Sequence, residues 1–374
     1  MPSLGQILFL VLWIFGLVQA TAQPLQKQTK TMFSAYSVTE NTTLDIVNKY
    51  GKVVINTWNQ DSVVIKVDIT AYERNNEEIG KLMDRVSIDI HYFGGFVTAK
   101  TDLDKNSGLF REKWNSLVDD SMTLTNRNKV NIDYELYVPE GSTVNLENKF
   151  GDVYIGGTLG SSKFNLAHGD LKAHNFTGLT RMDLSFGKAN IRSIQQGFMV
   201  LRSADLVLEK VEDLDLESTS SEIHIQNSGS LKMESRNDKI IVNQVQMFRG
   251  DASFSDVKME QLDGFISFKL NYGEIIISKI KSNFSNVDIY SESGDINLTF
   301  DQGANMQISL YGRQEQLYLS KNLLKLDRTV IDEKDKVVTL KGKIGNQNVK
   351  QSTVNVHSET GDVFVYVIDP KLNK

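Results

Sequence analysis

Eight acidic residues recur at one point of a repeating pattern: Asp152, Asp170, Asp205, Glu222, Asp256, Glu274, Asp295 and Asp362. Lys188 and Lys239 take the same point in two further repeats. Carboxylates stacked in such a column could bridge a divalent cation, because hard cations take oxygen ligands. A plainer chemistry competes with that one. Each acid follows a small residue, most often glycine, and Gly-Asp is a turn pair whose side chain caps backbone N–H groups. Capping is the preferred reading, since the glycine-rich nonapeptide of calcium-binding β-rolls is missing and two lysines break the column. No metal and no cofactor is therefore expected, with Asp152, Asp170, Asp205, Glu222, Asp256, Glu274 and Asp295 kept as the alternative metal column.

Other chemistry is thinner. The five histidines, His91, His168, His174, His224 and His357, show no ligand spacing beyond His168 and His174, and these fall on different segments of one repeat. No Gly-x-Ser-x-Gly elbow is present, so no serine nucleophile is indicated. Solenoid polysaccharide lyases and hydrolases place carboxylates in a cleft built by long loops, whereas the turns between 151 and 294 are minimal. The expectation is that the chain is not an enzyme. Tyr154, Tyr290, Tyr311 and Tyr318 face outward by alternation and could stack on sugar faces, although aromatic residues also simply suit a pleated surface. The sequons at Asn41, Asn175, Asn283 and Asn297 need no cause beyond chance.

What must position these residues is the repeat itself. A small residue, a charged residue and then apolar-x-apolar recur from Gly151, Gly169, Gly187, Ala204, Ser221, Asp238, Ser255 and Gly273, in steps of 17 or 18 residues. Within each period two short alternating segments follow one another, such as Val153 and Ile155, then Phe164 and Leu166, with Leu159 between them. Alternation with period 2 puts these on one face and residues such as Asn165, Asp215 and Asp288 on the other. No crossover helix fits inside a period, so the strands must be successive turns of a parallel β-solenoid, an all-β fold with coils of 17–18 residues. General crossover preference makes it right-handed. The small residues, among them Gly151, Gly169, Gly187, Gly273 and Gly294, are expected to take positive φ at a sharp turn. Ala204 and Ser221 suggest that this turn flattens in the middle coils.

Four regions follow. Residues 1–22 read as a signal peptide, with an apolar run from Ile7 to Val18 and Ala20-Thr21-Ala22 before a cleavage at Gln23, although Met1 to Gln6 carries no lysine or arginine. Residues 23–147 form an N-terminal β-rich cap. There Tyr50-Gly51-Lys52-Val53-Val54-Ile55 anticipates the repeat by 100 residues, and Ile79, Leu82, Met83 and Val86 mark one short helix, capped near Asn75 and Asn76, that would lie over the first rungs. The polar segment 102–129 reads as a loop or hairpin. Residues 148–300 are the regular solenoid, and 301–374 an irregular hairpin insertion with a closing rung at Gly361-Asp362-Val363-Phe364-Val365. The 374-residue chain has no cysteine, hence no disulfide or thiolate chemistry. Its net charge of −6 carries no basic cluster, which argues against nucleic acid. No segment after the signal is long and apolar enough to span a membrane.

The segments Asn48-Lys49-Tyr50-Gly51-Lys52-Val53-Val54-Ile55 and Asn148-Lys149-Phe150-Gly151-Asp152-Val153-Tyr154-Ile155, with Tyr134-Glu135-Leu136-Tyr137-Val138-Pro139 ahead of the second, resemble the bacterial "putative adhesin" domain family of unknown function. The similarity covers roughly residues 40–367. It implies an exported β-solenoid of the bacterial envelope and carries over no catalytic or ligand residues. Relatives among envelope-stress genes add a regulatory role. The leading expectation is an exported, non-enzymatic, adhesin-like binding or structural scaffold, periplasmic, surface-held or secreted, with a surface glycan or an envelope protein as partner. An envelope-stress sensing component and a carbohydrate-active solenoid enzyme are the alternatives.

Overall fold

The computed structural model describes residues 25–39, 42–103, 129–346, 349 and 351–368. The signal segment and most of the polar segment 102–129 lie outside these residues. The described residues fall into two compact units: a small one of 25–30, 69–87, 103 and 129–131, and a large one holding all the rest.

The large unit is a parallel β-solenoid. Successive coils pair in register, as in Lys188↔Asp205, Ala189↔Leu206 and Ile191↔Leu208, followed by Asp205↔Glu222, Leu206↔Ile223 and Leu208↔Ile225. The named inward positions are buried: Val153, Leu171, Ala189, Leu206, Ile223, Ile240, Val257, Ile275 and Ile296 form one apolar ladder, each at most 1% exposed. Outward residues alternate with them, so every side chain has a column fixed by register. A strand run of 42 residues, Lys239–Ile280, winds through successive coils without a break. The change from 18-residue to 17-residue steps coincides with a bulge between Phe176 and Leu179.

The corner before each unit differs from expectation. The left-handed residue is the one preceding the small residue: Tyr50, Phe150, His168, Phe186, Ser203, Ser220, Asn237, Phe254 and Tyr272 all have φ between 48° and 63°. Of the glycines expected there, Gly273 has positive φ, at 122°, while Gly151, Gly169, Gly187 and Gly294 do not. Those four are glycines for lack of space. A Cβ on Gly151 would lie 1.9 Å from the Gly51 carbonyl oxygen, and one on Gly169 2.1 Å from that of Gly151, so each would collide with the coil below. Nor does the turn flatten in the middle coils, because Ser203 and Ser220 keep it at φ 48° and 54°.

Both ends of the stack are interleaved. The strands Thr43–Lys49 and Val53–Trp58 pair with Thr143–Lys149 and Val153–Leu159 at the expected offset, Thr43↔Thr143 and Val53↔Val153. Their other edges pair with residues 96–100 and 134–139. A coil early in sequence thus sits between two later ones. At the opposite end, the coil of residues 352–367 pairs with 286–300 on one side and with 306–311 and 317–319 on the other. The expected closing rung is therefore not the last coil. Beyond it the strands Met306–Arg313, Val337–Ile344 and Asp327–Asp332 add antiparallel pairs.

In the small unit the helix spans Asn76–Arg85. The Asn75 side chain caps it, accepting from the Glu78 amide at 2.8 Å, and Ile79 is its buried residue. Lys129 pairs with Glu73, and this hydrogen bond, foremost, holds the Glu73 carboxyl below the usual carboxylate range. Among the described residues no helix is long and apolar enough to cross a membrane.

Candidate functional site: the corner ridge

The acidic column is assembled by the fold, and three of its carboxylates, Asp152, Asp170 and Asp295, are engaged by backbone amides. Asp152 Oδ1 accepts from the Asp170 amide at 3.0 Å, Asp170 Oδ1 from the Lys188 amide at 3.0 Å, and Asp295 Oδ1 from the Asp362 amide at 2.8 Å. The capping runs from one coil to the next, not within a turn. In the middle coils the equivalent amides bond to backbone instead: Asp205 to Gly187 and Asp256 to Asp238. Glu222 pairs with Lys239 at 3.2 Å, and Glu274 lies beside Asp295 in register. Among the described residues no three histidine or acidic side chains come together as a metal-holding group. Tyr154 donates to Asp152 at 3.2 Å, and the charge of that carboxylate, foremost, pushes the phenol above its ordinary value.

The histidines are dispersed. His168 lies in a ring stack, His174 Nδ1 accepts from the Gly157 amide at 3.2 Å, and His224 faces Asn243 at 3.1 Å. His357 stacks between two of the outward tyrosines, with centroids 5.0 Å from Tyr290 and 4.1 Å from Tyr311. Tyr318 stacks on Phe364 at 4.6 Å.

The feature that sequence reasoning missed is the corner itself. Its left-handed residues stack along the solenoid: Tyr50 on Phe150, Phe150 on His168 and His168 on Phe186, the last two pairs at 4.8 and 4.9 Å and within 3° of parallel. Phe254 and Tyr272 form a second stack at 4.9 Å and 4°. Phe186, Phe254 and Tyr272 are 53%, 58% and 50% exposed, so these rings add little to the core. A bulky residue with positive φ carries a conformational cost of roughly 1–2 kcal/mol. Stacking offsets about 0.5–1.5 kcal/mol per pair. The signal was present in the sequence, one position ahead of each small residue, where aromatic residues and histidine recur.

Between the two stacks the corners are Ser203, Ser220 and Asn237. The positions after the last two, Ser221 and Asp238, are buried and polar. Asp238 accepts from the hydroxyls of Ser218 at 2.6 Å and Ser235 at 2.7 Å, and from the amides of Ser221 at 2.7 Å and Arg236 at 3.0 Å. Ser255 Oγ in turn accepts from the Asp238 amide at 3.0 Å. This network braces the coils where the ring stack is interrupted. Beside the interruption runs an open groove of about 450 Å³, lined by Arg202, Glu217, Glu234, Arg236, Asp251 and Phe254 among others.

The profile of the Toastrack DUF4097 family matches residues 111–317, more than half of the chain. Among solved structures, a "putative lipid binding protein" from Parabacteroides distasonis ATCC 8503 is 10% identical, covering 91% of this chain and 97% of its own, with a TM-score of 0.28. A "putative adhesin" from Bacteroides fragilis NCTC 9343 is 11% identical, covering 91% and 97%, with a TM-score of 0.24. A "putative cell adhesion protein" from Clostridium sporogenes ATCC 15579 is 9% identical, covering 92% and 100%, with a TM-score of 0.19. No curated protein matches the chain.

Proposed function

The chain belongs to the Toastrack DUF4097 family, and from that premise we propose that it is an exported, non-enzymatic solenoid scaffold that binds a partner of the cell envelope through its corner ridge. The observation that carries this reading is the exposure of Phe186, Phe254 and Tyr272 at left-handed corners, each ring stacked on a neighbour. Corner amides along the ridge are held by the next coil, as where Phe186 N donates to Arg202 O at 3.1 Å and Ser203 N to Thr219 O at 2.9 Å. The rings are thus arranged before any partner arrives, and little side-chain entropy is lost on contact.

Two further observations support a binding role over catalysis. Asp152, Asp170 and Asp295 spend acceptor oxygens on backbone amides. The groove beside the corner is open along one side, where a reacting group would stay in water and electrostatic stabilisation of a transition state would be weak. Export rests on the apolar run and small residues of the first 22 positions.

The test is to express the full chain with a C-terminal tag in a bacterial host, fractionate the cells, sequence the N-terminus of the recovered protein and incubate it with isolated envelopes. An exported product beginning at Gln23 that sediments with envelopes, and loses this on Phe186→Ala with Tyr272→Ala, supports the reading. A product retained in the cytoplasm with an intact N-terminus, or sedimentation indifferent to both substitutions, overturns it.

A further inference from the structure

The interruption of the ring stack is a site of its own. Phe186 has His168 on one face, so its other face is turned toward the coil of Ser203; Phe254 has Tyr272 on one face and turns the other toward the coil of Asn237. From Phe186 to Phe254 is four coil steps, or about 19 Å at ~4.8 Å per step. Across that span the corner carries only Ser203, Ser220 and Asn237. The result is a notch ended by two aromatic faces and floored by hydroxyl and amide groups. Its side opens onto two outward columns, Arg202–Thr219–Arg236–Ser253 and Val200–Glu217–Glu234–Asp251, both fixed by register.

We propose that this notch binds a neutral pyranose oligosaccharide, with Phe254 as its stacking platform. The inference rests on the binding role assigned to the ridge and names the ligand class. A pyranose has a C–H face that packs on an aromatic ring and a rim of hydroxyls that both donate and accept. The notch supplies the complement: an exposed ring face, carboxylates that accept, and a guanidinium that donates in a planar fork. Arg236 has no ion-pair partner among the described residues, whereas Arg202 is taken by Asp183 at 2.6 Å. The groove of about 450 Å³ that adjoins the notch, lined by the two outward columns and meeting the notch at Phe254, lies in the range of small-ligand sites.

Charge and backbone narrow the class. Arg202 and Arg236 stand against Asp183, Glu217, Glu234 and Asp251, two cations against four carboxylates, so uronic or sulfated glycans are disfavoured. An added peptide strand finds the three corner amides of the floor already engaged. The amides of Ser203, Ser220 and Asn237 donate to Thr219, Arg236 and Ser253 at 2.9, 3.0 and 2.9 Å.

The experiment titrates the full chain calorimetrically with neutral gluco-, manno- and galacto-oligosaccharides, an oligogalacturonate and an oligolysine. A neutral oligosaccharide should bind. Phe254→Ala should weaken it about tenfold, Phe254→Tyr should retain it, and Ser220→Phe, which places a ring in the middle of the notch about two coil steps from either end, should abolish it while leaving the melting temperature close to the parent's. The last variant separates blockage from misfolding. Absence of binding by every neutral oligosaccharide, or binding of the oligolysine or the oligogalacturonate alone, overturns the proposal. Neutral-glycan binding that survives both Phe254→Ala and Ser220→Phe but is lost in Phe186→Ala with Tyr272→Ala also overturns the notch, while leaving the ridge's binding role standing.

Discussion

Replacing Gly169 by alanine separates the two reasons a corner can demand glycine. At Gly169 φ is not positive, but a Cβ would lie 2.1 Å from the Gly151 carbonyl oxygen and 2.6 Å from its carbon. Carbon and oxygen approach to about 3.3 Å at closest, so the coils must part locally by about 1.2 Å. That strains the Asp170 amide bond to Asp152 at 3.0 Å, the Val153 amide bond to Asp170 at 2.7 Å and the Phe150 amide bond to Ala167 at 2.9 Å. With about 1 kcal/mol for each hydrogen bond and 1–3 kcal/mol for overpacking, Gly169→Ala should cost about 4–6 kcal/mol. Gly94 is the control: its φ is +60°, and nothing lies within 4 Å of the place its Cβ would take. There alanine should cost only about 1–2 kcal/mol, the left-handed penalty alone. Urea denaturation followed by circular dichroism gives both values, with hydrogen exchange around residues 150–190 as a local probe, because solenoids need not unfold in one step. A Gly169→Ala cost no larger than that of Gly94→Ala would refute close coil approach as the reason for this glycine.

Three other outcomes are expected. Asp238→Ala removes the acceptor of four hydrogen bonds, three of them buried, and should destabilise by about 3 kcal/mol, Asp238→Asn by less, in the same denaturation assay; equal stability of the alanine variant and the parent would contradict the bracing role. Burial raises the Asp263 carboxyl, but hydrogen bonds from Lys281, Gln244 and Gln261 outweigh it and hold the group below its ordinary value. A depressed pKa gives stability that is present above the unfolded value of about 4 and lost as pH falls through the folded one. The parent should therefore lose melting temperature faster below about pH 4 than Asp263→Asn does, and parallel acid curves would count against the assignment. Ile225→Pro, at a fully buried position with coils on both sides, should cost about 3 kcal/mol or more, read as lost hydrogen-exchange protection over residues 206–242.

Much of the solenoid could be read from residues because period-2 alternation reports inside and outside directly. Val153, Leu206 and Ile275 are inward and buried, and the match of Tyr50–Ile55 to Phe150–Ile155 at an offset of 100 became a physical pairing. The Asn75 cap was legible for the same local reason. Glycine, however, answers two demands, positive φ and lack of space, and composition does not distinguish them. That ambiguity moved the left-handed corner one residue from its place and hid the ring stack. The order of coils at the ends was hidden too, since the segment around Val363–Val365 has the same pattern whether it closes the stack or slots between 286–300 and 306–319. The groove by Phe254 depends on which outward columns adjoin, which only register across several coils determines.

Those columns underlie the site and the function alike, and the 100-residue return of the chain tests them most directly. The chain has no cysteine, so paired substitutions report proximity without background. Val54 and Tyr154 are register neighbours, with Lys172 and Asn190 following in the same column. A short bis-thiol-reactive cross-linker should join Val54→Cys to Tyr154→Cys in high yield and leave Val54→Cys with Asn190→Cys, about 14 Å apart over three coil steps, unlinked. Failure of the first pair, or equal yield in both, would contradict the stacking order on which the account stands.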